Sequence, residues 1–171
     1  MQLRLHSLLL LLGFVSACSG STSSGVGSGS GSEGASLFDA PGQGDLTPDS
    51  IYGVWGGSLV DSGITFDTRW RLSENEITLA TRCSLQDGRE SETVGVTARA
   101  RVSRDEITFL ESKRDERKAG DFACRVNAQP RTLAACDARE GFERDCFRLA
   151  GTTLTMYGSP LEKLELVKLS D

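Results

Sequence analysis

The side chains able to do covalent, acid–base or metal chemistry are few in this chain and unevenly placed. Its one histidine, His6, lies in an apolar N-terminal stretch, so no imidazole follows it. This removes Ser-His-Asp and Cys-His nucleophilic sites, and His-based zinc or iron centres, from the rest of the chain. Carboxylates are common, but Glu74 and Glu76, Asp105 and Glu106, and Asp115 and Glu116 fall where turns and wet strand faces are expected. A carboxylate pair for glycoside hydrolysis needs a larger cleft than this chain can frame. No glycine-rich loop sits between a strand and a helix to cradle phosphate. Cys18, Cys83, Cys124, Cys136 and Cys146 show no Cys-x-x-Cys spacing, which argues against a metal site or a redox pair. The sequence therefore reads as a non-enzyme, with no catalytic residue, no metal and no cofactor expected.

The N-terminal stretch has its own logic. Arg4 supplies a positive start, and Leu8 to Leu12 followed by Gly13, Phe14 and Val15 form a short apolar run. That run is too short to span a bilayer as a stable helix and has the layout of a secretory signal. Val15-Ser16-Ala17-Cys18 resembles the lipobox of bacterial lipoproteins: an aliphatic residue, two small residues, then cysteine. The resemblance implies a thioether diacylglycerol on Cys18, cleavage before it, and acylation of the new amino group by a fatty acid such as palmitate. Residues 1–17 would then be a signal peptide, and two or more acyl chains would hold the protein stably in the cell envelope. The family's sorting rule places a lipoprotein with Ser19 after its cysteine in the outer membrane. Ordinary secretion with a free Cys18 thiol is the alternative.

Residues 18–44 carry the lipidated cysteine and a flexible linker. From 19 to 36 the chain is almost entirely Gly, Ser and Thr, which cannot bury apolar surface and is expected to be disordered. A Gly-rich coil over 19–44 would span about 28 Å r.m.s., enough to lift a domain clear of the headgroups. Leu37 and Phe38 interrupt it as a small apolar island, expected to make a weak docking contact or none. Loss of Arg4 leaves 18 basic against 24 acidic residues, a net charge of −6. Without a basic stripe, nucleic acid and anionic lipid are not expected partners.

Residues 45–171 are long enough for one domain, and period-two alternation dominates them. Ile64, Phe66, Thr68, Trp70 and Leu72 share one face, as do Ile77, Leu79, Thr81 and Cys83, and Val94, Val96, Ala98, Ala100 and Val102. Thr65, Asp67, Arg69, Arg71, Thr78, Arg82, Thr97, Arg99 and Arg101 take the opposite faces. Each run predicts a strand with one buried and one wet side. The segment from Arg71 through Ser73 to Leu79 repeats thirty residues later, from Arg101 through Ser103 to Phe109, and a looser copy runs from Arg148 through Gly151 to Met156. Each copy predicts a hairpin. Sequential hairpins make a meander, and about eight strands can close on themselves and abolish free edges. The mixed-charge run at 113–118 predicts a solvated hairpin loop, with a partner-docking loop as the alternative.

Gly53-Val54-Trp55, after a short turn at Thr47-Pro48-Asp49, resembles the Gly-x-Trp motif of lipocalin-like (calycin) barrels. With the meander and a last strand near 164–169, the resemblance spans most of 50–169. It implies an all-β, antiparallel up-and-down barrel of eight strands with Trp55 closing one end.

Cys83, Cys124, Cys136 and Cys146 are an even set in an exported domain and predict two disulfides. Three pairings are possible; Cys83–Cys124 with Cys136–Cys146 is favoured. Two functions compete. In the first, small inward residues such as Val96 and Ala98 leave space lined by Trp55, Phe66, Trp70 and Phe109 for a small apolar ligand. In the second, the 113–118 run and the loop between Cys136 and Cys146 contact an envelope protein, as an interaction or inhibitor module would.

Overall fold

A computed structural model of the chain describes residues 37–39, 46–119, 122–136, 145–158 and 163–171. Cys18, the signal segment and most of the linker lie outside these residues. Eleven strands follow one another: β1 (Gly53–Asp61), β2 (Ile64–Leu72), β3 (Glu76–Leu85), β4 (Val94–Val102), β5 (Glu106–Phe109), β6 (Lys113–Ala119), β7 (Phe122–Ala128), β8 (Arg131–Ala135), β9 (Cys146–Ala150), β10 (Thr153–Tyr157) and β11 (Lys163–Ser170). Nine of them close a barrel in the order β1-β11-β10-β9-β8-β5-β4-β3-β2, and β6 and β7 form a separate two-stranded sheet.

The all-β barrel agrees with the alternation in the sequence. Phe66, Thr68 and Trp70 on β2 stand opposite Cys83, Thr81 and Leu79 on β3, so the alternating sets meet on one inner face. Ile77, Val94, Val96, Ala98, Ala100, Ile107, Phe109, Leu133, Phe147, Leu154 and Leu166 are all buried and make one continuous core. Turn chemistry fixes the registers. Ser62 and Gly63 join β1 to β2 with φ of 51° and 80°. Positive φ at both central residues matches the twist of a two-residue hairpin. The repeated segments form equivalent hairpins, β2–β3 and β4–β5. In the first, the Ser73 amide donates to the Glu76 carbonyl (3.0 Å); in the second, the Ser103 amide donates to the Glu106 carbonyl (2.8 Å).

The barrel departs from the expected eight-stranded antiparallel meander in two places. After β5 the chain leaves the wall as the β6–β7 hairpin and re-enters as β8, which pairs with β5. Residues 113–118, expected as a loop, are therefore strand β6. Toward β4, two carboxylates stand in for a backbone ladder. Asp115 Oδ2 accepts the Gly95 N–H (3.1 Å), and Glu111 Oε1, just before the strand, accepts the Arg99 N–H (2.9 Å), both on β4. The second departure is at β8 and β9, which run parallel and overlap only at Ala134↔Cys146 and Ala135↔Phe147. So short an overlap lets β8 end where β9 begins, and the Cys136–Cys146 disulfide fastens the junction. The barrel is consequently mixed, with nine strands.

The apolar island is docked. Residues 37–39 form a helical turn on the outside of the barrel, where Leu37 is 1% exposed and packs with Val54, Ala80 and Leu169. Phe38 receives the Arg82 guanidinium 4.3 Å and the Arg69 guanidinium 5.0 Å from its ring centre. Gly56 makes the cleft possible. A Cβ there would meet Arg69 Nη1 and Leu169 Cδ1 at 2.7 Å, so its absence lets both side chains lie across β1.

Candidate ligand-binding cavity

The barrel is only partly filled by its own side chains. A cavity of about 360 Å³ opens between the inner faces of β1, β2, β3 and β11 and the β7 strand of the hairpin. Its apolar lining is Leu59, Phe66, Trp70, Leu79, Leu164 and Val126; its polar lining is Thr68, Thr81, Asp61, Asn127 and Arg125. This size and mixture, mostly apolar with a few placed polar groups, suits a small organic molecule.

The Cys83–Cys124 disulfide positions the β7 side of this space. Its Cα atoms are 5.6 Å apart, and it ties β7 to β3 across 41 residues of sequence. Both this pairing and Cys136–Cys146 are those favoured from the sequence. Val126 and Cys124 alternate with exposed Arg125 and Asn127, so β7 presents an oily face inward while its polar residues reach the edge of the cavity. Arg125 is held there by Glu116, whose Oε2 accepts its Nε–H at 2.8 Å. The hydrogen bonds from Arg114 and then Arg125 pull the Glu116 carboxyl down to about 2, so it is ionised and retains the guanidinium.

Inside the cavity lies a compact polar chain. Thr68 Oγ1 donates to the Ala80 carbonyl (3.2 Å) and accepts from Trp70 Nε1 (3.1 Å) and from Thr81 Oγ1 (3.3 Å). Thr68, Trp70 and Thr81 are all less than one-tenth exposed. Buried polar groups need such partners, since each unpaired one costs about 1–3 kcal/mol. Among the described residues no group of three or more His, Cys, Asp or Glu side chains converges to hold a metal.

The six residues expected to line a cavity separate into two groups. Phe66 and Trp70 do line it. Val96, Ala98 and Phe109 are buried in the core and do not line this cavity; Phe109 meets Trp70 edge to face with ring centres 6.3 Å apart. Trp55 is fully buried outside the cavity lining, its Nε1–H donating to the Ile51 carbonyl at 2.9 Å. The Lys168 Nζ lies 5.7 Å from the Trp55 ring centre.

Sequence reasoning missed Leu59, Asp61, Leu164 and the three β7 residues as lining, and placed Thr68, Leu79 and Thr81 on inner strand faces without naming them as lining. It also missed Lys168, for which a signal exists: with Leu164 and Leu166 it occupies the inward parity of β11. For the β7 residues no signal exists, because their position depends on a hairpin leaving the wall. The loop between Cys136 and Cys146, considered as a contact element, lies mostly outside the described residues.

No protein-family model matches the chain, and no curated protein and no solved structure matches it.

Proposed function

We propose that this protein is a non-enzymatic binding module of the bacterial cell envelope, a lipocalin-like barrel that holds a small apolar ligand and is tethered through lipid on Cys18. The observation that carries the ligand reading is the cavity of about 360 Å³ walled by Phe66, Trp70, Leu59, Leu79 and Leu164. Apolar walls supply affinity, each well-buried ligand carbon contributing roughly 0.8 kcal/mol, while Asp61, Asn127 and Arg125 provide polar contacts. The lipobox-like Val15-Ser16-Ala17-Cys18 and the Gly/Ser linker support the anchor and the export route. Two disulfides suit an oxidising compartment.

Mass spectrometry of organic extracts from protein purified out of envelopes tests the ligand reading. A small apolar species recovered in stoichiometric amount is the expected result; clean extracts together with no uptake of apolar probes would end it. Metabolic labelling with an alkynyl palmitate tests the anchor. Label should appear on the wild type and vanish in Cys18→Ser; equal labelling of both would refute lipidation at that residue.

A further inference from the structure

The hydrogen-bond inventory of the cavity wall is asymmetric. A threonine hydroxyl has one proton to donate and two lone pairs to accept with, and an indole has one N–H. Thr68 spends all three capacities: its proton on the Ala80 carbonyl, its lone pairs on Trp70 Nε1 and Thr81 Oγ1. The Trp70 N–H and the Thr81 proton are consumed in the same contacts. Thr81 Oγ1 keeps its accepting lone pairs, and among the described residues no donor reaches them. Thr81 is 8% exposed and lines the cavity.

We infer that the cavity selects apolar ligands carrying a hydrogen-bond donor, a hydroxyl or N–H, placed against Thr81 Oγ1. The inference rests on the ligand-binding reading above and narrows it. An ether or ketone oxygen placed against Thr81 would meet no free donor there, the Asn127 and Arg125 donors lying on the β7 side of the cavity, whereas a hydroxyl would find an acceptor already oriented by its bond to Thr68. The rings of Trp70 and Phe66 beside it favour a flat hydrocarbon body, such as a phenol or an aromatic or terpenoid alcohol. A carboxylate is not favoured at Thr81 itself, which has no proton left to offer it; the cationic group of the lining, Arg125, belongs to the exposed face of β7.

Calorimetric or fluorescence titration of the full chain with naphthalene, 2-naphthol and 2-methoxynaphthalene tests this. The readout is the ratio of dissociation constants, methoxynaphthalene over naphthol. From the wild type to Thr81→Val that ratio should fall about two- to tenfold, the worth of one hydrogen bond between neutral groups. Thr81→Ser keeps the hydroxyl and should keep the ratio, and circular dichroism confirms that both variants fold. If the probes bind but the ratio is the same in all three proteins, the donor preference is overturned while the cavity remains a binding site. If none of the three probes binds the wild type, the ligand-binding reading itself falls, and this inference with it.

Discussion

Lys168 reaches beneath the start of the barrel and places its ammonium 5.7 Å from the centre of the Trp55 ring. Its side chain is fully buried. The charge is tolerated because every direction is answered: Nζ donates to the Thr47 carbonyl (3.0 Å) and the Ser50 carbonyl (3.2 Å), and pairs with the Asp171 carboxylate. Asp171 in turn accepts from the Thr47 amide (2.8 Å) and hydroxyl (2.7 Å). The first turn, the first strand and the last strand are thereby fastened together at a buried indole.

Lys168→Met should therefore loosen this end of the barrel. The methionine fills much of the volume but removes the donor to the Thr47 and Ser50 carbonyls, while Asp171 keeps its two bonds from Thr47. A buried carbonyl left without a partner costs about 1–3 kcal/mol, so the midpoint should fall. Urea denaturation followed by tryptophan fluorescence measures the shift, and an unchanged midpoint would show that the ammonium contributes nothing.

Acid should weaken the fold at two carboxyls. The Lys168 hydrogen bond, above all, holds Asp171 below the usual carboxylate range, and the Arg114 and Arg125 hydrogen bonds bring Glu116 to about 2. A carboxyl whose pKa is lower folded than unfolded adds stability above the unfolded value and loses it as pH falls through the folded one. For Glu116 the window runs from 4.5 down to about 2. Stability should be flat on this account above pH 5 and decline below 4.5, with a shallower decline in Glu116→Gln. Asp171 is exposed and Glu116 partly so, and salt should therefore reduce the difference. Denaturation midpoints from pH 2 to 7 at two salt concentrations would check it; identical profiles for the two proteins would contradict it.

The disulfides should differ in what their loss does. Cys83–Cys124 closes 41 residues and Cys136–Cys146 closes 10. On the chain-entropy account their removal costs about 4 and about 3 kcal/mol. Replacing both members by alanine in each case gives the comparison. Loss of Cys83–Cys124 should also free the β7 side of the cavity and reduce probe binding, whereas loss of Cys136–Cys146 should leave probe binding closer to normal. Equal effects on binding would argue that the hairpin does not shape the site.

The docked segment offers a separate test. Leu37 is 1% exposed and the Phe38 ring meets two guanidinium groups. Burying a leucine side chain contributes roughly 1.5–3 kcal/mol, and cleavage of a fast-opening segment follows the open population. Leu37→Ser should raise the rate of chymotryptic cleavage after Phe38 by about tenfold or more. Equal rates would mean the segment is not held against the barrel.

Much of the barrel was legible in the sequence because alternation reports directly on which side of a strand is dry. Phe66, Thr68 and Trp70 could be assigned to one face, and the Ser73 and Ser103 turns recognised as copies, from local pattern alone. What was illegible depends on pairing between distant strands. Charges along β6 suggested a solvated loop, yet Asp115 among them accepts a backbone N–H from the open edge of β4. Small residues at Val96 and Ala98 suggested empty space, yet Phe109 and Trp70 meet in the same core. The cavity instead lies toward Leu59, Leu164 and Val126, from strands far apart in the chain. The polar chain at Thr68 needed the β2–β3 register, which places Thr81 directly opposite.

Everything proposed of the cavity requires that the space between β7 and the inner wall receive a ligand. Titration with the fluorescent apolar probe N-phenyl-1-naphthylamine, comparing the wild type with Leu164→Phe, tests it most directly. The larger ring should occupy part of the cavity without unfolding the barrel, as circular dichroism would verify. The account predicts one saturable site in the wild type and an affinity about tenfold or more weaker in the variant, the equivalent of 1.4 kcal/mol. No saturable uptake by the wild type, or equal uptake by the two folded proteins, would contradict it.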